Sequence, residues 1–128
     1  MTNFRNLTMF ALLALLSACG CGSNEDAVAM VQALSPNRLD QLAADLILAE
    51  ASSSASKQFD ERTGIPGAFQ DLHPTKIVVD PVAGSRVYLS GCVDDKALIV
   101  MRSLGSGQHM MVLLPGEYQK EIVLWQSK

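Results

Sequence analysis

Residues 86–114 read RVYLSGCVDDKALIVMRSLGSGQHMMVLL. Three β-rich runs, 86–92, 97–103 and 109–114, are divided by Asp94-Asp95-Lys96 and by Gly105-Ser106-Gly107. Connections this short join antiparallel neighbours, because a parallel return needs a crossover of about a dozen residues or more. Val87, Leu89 and Gly91 alternate with Arg86, Tyr88 and Ser90, the pattern of a strand with one buried face. The runs at 97–103 and 109–114 are apolar on both faces, so they belong at the sheet centre or against a partner. The same spacing predicts flanking strands at 76–80 (KIVVD) and 121–126 (EIVLWQ), reached through Asp80-Pro81, Gly84-Ser85 and Pro115-Gly116.

Upstream the period changes from two to that of a helix. Leu39, Leu42, Ala43, Leu46 and Ile47 form one apolar stripe, with Ser35 as cap and Pro36 at the first helical position. The pattern predicts a helix over Pro36–Ala51, with Arg38, Asp40, Gln41 and Asp45 on a solvated face. Val28, Val31 and Leu34 recur at threes and predict a shorter helix over 25–34. Ser23 or Asn24 would cap it, with Glu25 and Asp26 facing the positive end of its dipole. Residues 52–63 open with SSSAS and read as a polar connection; Gly64-Ile65-Pro66-Gly67 is a second breaker. Residues 68–72 fit one helical turn, with Ile65, Phe69 and Leu72 plugging the core. A connection this long is mobile or functional. The expected fold is α+β, with two N-terminal helices packed on one face of a four- or five-stranded antiparallel meander.

The first eighteen residues do not belong to that fold. Residues 1–6 are polar, with Arg5 the only charged side chain, and 7–16 (LTMFALLALL) are apolar except Thr8. A charged start, a short apolar run and small residues at a cut site make an export signal. Ten residues are too few for a membrane span, which needs about 20. Leu16-Ser17-Ala18-Cys19 resembles the lipobox of bacterial lipoproteins. That resemblance implies diacylation of Cys19, cleavage before it, and a chain of three parts: signal peptide 1–18, lipidated tether 19–24 and a single domain 25–128. Two or more acyl chains anchor stably where one is marginal. It also implies a place in the cell envelope. Gly20, rather than aspartate, follows the cysteine, which leans toward an outer membrane facing the periplasm if the cell is diderm.

Cleavage leaves 110 residues and removes Arg5, taking the formal charge from −3 to −4. One domain of that size can bury a modest core. A mildly acidic chain has no electrostatic reason to seek nucleic acid or anionic lipid. Its expected partners are therefore the membrane, through the Cys19 lipid, and a protein in the envelope. Cys21 and Cys92 remain in an oxidising compartment where a bridge is permitted. Closing that loop would contribute roughly 4 kcal/mol in the chain-entropy model. The alternative leaves Cys21 in the tether and Cys92 packed or free.

No constellation names a reaction. Cys92, Asp94, Asp95 and His109 could assemble a thiol nucleophile, but a reactive thiol needs an electropositive setting. Asp94-Asp95 is the opposite. His73 and His109 lie 36 positions apart without a second ligand at metal spacing, so neither metal nor cofactor is expected. Gly105-Ser106-Gly107 lacks the features of a hydrolase elbow or a phosphate loop and reads as a hairpin turn. Glu50, Asp60, Glu61 and Asp71 define no acid–base pair by spacing. Met101, Met110 and Met111 suit core filling or an adaptable surface. Tyr88 and Trp125 suit packing or a binding face. The reading leans to a non-enzymatic binding or accessory domain. The alternatives are an inhibitor or immunity-like protein acting on an envelope hydrolase, or a small thiol enzyme using Cys92 and His109.

Overall fold

The computed structural model describes the backbone of residues 24–92, 95–116 and 119–128, and their side chains except at 24, 90–92, 95 and 96. Cys19, Cys21 and the leader lie outside the described residues. Helices α1 (Asn24–Gln32) and α2 (Pro36–Ala51) precede six strands: β1 (Lys57–Asp60), β2 (Lys76–Val79), β3 (Arg86–Cys92), β4 (Asp95–Gly105), β5 (Gln108–Leu114) and β6 (Ile122–Gln126). A 3₁₀ helix, Gly67–Leu72, lies between β1 and β2. The strands form one sheet in chain order, every pair antiparallel. This is the expected α+β meander, with six strands in place of four or five.

The additional strand is β1, which falls in the connection expected to be polar and irregular. KQFD carries one apolar residue and no periodic signal of its own. It is a strand because it pairs with β2, placing Lys57 opposite Val79 and Phe59 opposite Ile77. Tertiary pairing outweighs local preference in strands.

Helix α2 forms as its stripe predicts. The Ser35 side chain accepts the Arg38 N–H at 3.2 Å, and Pro36 opens the helix. Leu42, Ala43 and Leu46 are buried, with Leu39 and Ile47 partly so. Two residues expected on the solvated face make tertiary bonds instead. Asp40 accepts the Trp125 indole N–H at 2.7 Å, tying α2 to the last strand. Arg38 grips Asp71 and the Ala68 carbonyl of the 3₁₀ helix. Amphipathic spacing separates buried from exposed carbon and is blind to long polar side chains that reach across a surface.

The core lies between the helices and one sheet face. Ala27 and Val31 from α1 and Leu42 and Leu46 from α2 join Ile77, Val79, Val87, Leu89, Ile99, Met101, Met111 and Leu113. Phe69 and Leu72 plug one side, as their spacing suggests. The register shifts between Tyr88 and Gly91, so the strict alternation expected through Gly91 ends at a bulge. Ser106 and Gly107 form a two-residue hairpin loop, both at positive φ, the backbone a type I′ turn requires.

Candidate functional site

Strand register decides which sequence candidates can act together. Cys92 pairs with Asp95 at the start of β4, whereas His109 pairs with Ser103 near its end. Eight residues of extended chain separate those positions, roughly 25 Å at the usual rise per residue. The backbone positions of Cys92 and His109, the pair of the thiol-enzyme alternative, therefore lie toward opposite ends of β4. Asp94 and the side chains of Cys92 and Asp95 lie outside the described residues. His109 has a structural partner: its N–H donates to Ser127 Oγ at 2.8 Å, and its carbonyl accepts the Ser127 N–H at 2.9 Å. His73 closes the 3₁₀ helix in left-handed backbone with φ 48°. Among the described residues no group of three or more His, Cys, Asp or Glu could hold a metal ion, and no helix is long and apolar enough to cross a membrane.

Glu50, Asp60, Asp71 and Asp80 are engaged in holding the fold. Glu50 Oε1 accepts both the N–H and the hydroxyl of Ser85, at 2.9 and 2.6 Å, and Ser85 is wholly buried. Asp60 caps its turn by accepting the Thr63 and Arg62 N–H groups, which hold its carboxyl below the ordinary range. Asp80 does the same with Ala83 and Val82. Asp71 is lowered by its hydrogen bonds from Arg38 and by that charge.

Two surfaces have the character of binding sites. The first is the sheet face turned away from the helices. Across it the register aligns Val78, Arg86, Val100, Val112 and Val123 in one row. A second row aligns Lys76, Tyr88, Leu98 and Leu114. Lys76 Nζ lies 4.5 Å from the Tyr88 ring centre, a cation–π contact. Val100 and Val112 are only 8% and 0% exposed, yet neither belongs to the helix-side core; Val123 is 55% exposed. An antiparallel sheet whose second face meets water normally places polar residues there. This one places valine, leucine and tyrosine, with Lys76, Arg86 and Arg102 among them.

The second is a cavity of about 240 Å³ on the helix side, under the connection from α2 to β2. Leu46 and Ala49 of α2, Phe59 of β1, Ile77 and Val79 of β2, and Phe69 of the 3₁₀ helix form its wall. Asp45 is its one charged lining residue. Two shallower, more polar grooves of about 410 and 300 Å³ share Glu61 further along that connection, with His73 and Gln70 in one and Arg62 in the other. Sequence spacing gives Asp45 no distinction from its solvated neighbours; only the folding of the connection beside it makes it a rim residue.

No family model, no curated protein and no solved structure matches the chain.

Proposed function

We propose that this chain is a lipid-anchored envelope protein whose domain acts by binding another protein through the β6 side of the sheet face opposite the helices, where Val123 is 55% exposed. The anchor rests on the lipobox-like Leu16-Ser17-Ala18-Cys19 and the apolar run before it. The binding role rests on one observation: aligned rows of apolar side chains on the sheet face opposite the helices. Val100 and Val112 are already buried at its centre, so the surface it offers is Val123, with Leu98 and Leu114 half-buried; exposed apolar surface marks interaction sites in soluble domains. A flat, branched surface with an aromatic and interspersed cations suits a folded protein surface better than a small molecule, which needs concavity. Cys19 would hold that face near the membrane, and the partner would come from the envelope.

The test has two arms. Cys19→Ser should yield an uncleaved precursor that takes up no label from a fatty-acid analogue; normal processing and labelling would remove the anchor from the reading. A photo-cross-linking residue at Val123, on the open face, should give a discrete adduct in cells. The same residue at Leu48, which is 66% exposed on α2, should not. Equal cross-linking at both positions would remove the sheet face from the reading.

A further inference from the structure

The helix-side cavity lies against the edge of the sheet. β1 is the first strand in the order, and its Lys57 and Phe59 share a face with Val79 and Ile77, their register partners. Phe59, Ile77 and Val79 all line the cavity. An extended segment pairing with β1 would send alternate side chains to that same face, because side chains alternate across a strand. The cavity wall is therefore within reach of a seventh strand. At about 240 Å³ it falls below the roughly 300–1,000 Å³ of pockets that enclose drug-sized ligands. It fits one side chain.

The lining states which side chain. It is apolar except for Asp45, which is half-buried on α2. Asp45 takes no hydrogen bond or ion pair among the described residues. Lys57, on the same side of β1, makes none with it, and Arg38 is committed to Asp71, Gln41 and Ala68. A half-buried carboxylate above aliphatic and aromatic walls complements a group with an apolar stem and a cationic head. Lysine and arginine have that form: their methylenes pack while the charge reaches a polar partner. The wall is held in place by an ion pair. Arg38 clamps Asp71 through two nitrogens, at 3.1 and 2.6 Å, and so fixes the 3₁₀ helix that carries Phe69 against α2.

We infer that the β1 edge accepts an extended protein segment as an added strand, with one lysine or arginine side chain inserted in the cavity against Asp45. Asp60 main chain is taken by the turn, its N–H by Thr63 Oγ1 and its carbonyl by the Gly64 N–H, so main-chain hydrogen bonds to the rest of β1 would supply affinity and the cavity specificity, as in other strand-addition complexes. The inference is independent of the open sheet face, which lies on the other side of the sheet, and of the Cys19 anchor.

The probe is a synthetic peptide, Thr-Val-Thr-Lys-Thr-Val-Thr, titrated into the full chain in detergent and followed by NMR. Backbone amides of residues 57–60 and the methyls of Leu46, Ala49, Ile77 and Val79 should shift together and saturate. Replacing the peptide lysine by norleucine should weaken binding about tenfold, the order expected for a charged hydrogen bond. Asp45→Asn, with an unchanged melting temperature, should make the two peptides equal. Ala49→Leu, which fills the cavity, should abolish the methyl response. Equal affinity for the lysine and norleucine peptides on the unmodified chain would overturn the inference. So would shifts at β6 in place of β1, or pentylammonium alone shifting the methyls as strongly as the peptide does.

Discussion

Gly84 shows how a single residue can set the geometry of a sheet. Its φ is +92°, and a Cβ built there would overlap the Met101 carbonyl oxygen. Next to it the Ser85 carbonyl accepts the Met101 N–H at 2.9 Å, so the turn is laid directly on β4. Gly84→Ala therefore meets both backbone strain and a clash with main chain. It should cost about 2 kcal/mol or more in chemical unfolding. Ala83→Gly, one residue earlier, is the control and should cost far less. Arg38 is the second such position. Lysine keeps the charge but cannot hold a carboxylate and a carbonyl in one planar fork. Arg38→Lys should cost about 1 kcal/mol, since the pair is half exposed on the Asp71 side. It should also speed hydrogen exchange at the Phe69 and His73 amides, which close the 3₁₀ turns. Unchanged exchange there would show that Arg38 does not brace this segment.

Helix α2 adds Leu42, Ala43 and Leu46 to the core. Leu42 and Leu46 are each 1% exposed and face the sheet, so Leu42→Ala or Leu46→Ala should lower stability by about 2–5 kcal/mol. A melting curve unmoved by both would place the helix off the core. This helix was legible because its signals agree: Ser35 caps, Pro36 starts, and five apolar residues keep one stripe. The three central strands were legible too, since each carries a continuous β-rich run between turn residues. β1 was not, because KQFD owes its strand to β2 rather than to itself. The same holds for the candidate sites. Apolar residues on both faces of residues 97–103 and 109–114 pointed to the sheet centre or a partner; both strands lie inside the sheet order, and the register aligns their residues into rows. The separation of Cys92 from His109 depends on counting ladder pairs along β4, which spacing in sequence cannot do. Asp45 gave no signal at all, because a rim residue is defined by what folds beside it.

For the whole molecule, the carboxylates with lowered pKa are unevenly spread. Asp60 and Asp80 close the turns at either end of the β1–β2 region, and Asp71 holds the 3₁₀ helix between those strands. The centre of the sheet, β4 and β5, is buried and largely apolar. Each of the three groups has a folded-state pKa below its ordinary value near 3.8. A depressed carboxylate stabilises the fold above its unfolded pKa, and that contribution is lost as pH falls through the folded value. The loss therefore begins near pH 4 and grows below it, with no counterpart between pH 5 and 8 from these groups. Its location follows from theirs. As acid is added, the β1–β2 edge should loosen while β4 and β5 stay protected, because local opening tracks the interactions that hold each unit. Hydrogen exchange compared at pH 5 and pH 3 should show the Gly64 and Gly84 amides, which bond to Asp60 and Asp80 carbonyls, gaining exchange relative to the amides of β5. The comparison must be corrected for intrinsic chemistry. Asp60→Asn with Asp71→Asn should flatten the pH response on the β1 side and leave Gly84 responsive. Uniform loss of protection across all six strands would show that acid unfolds the domain as one unit, with no separable edge.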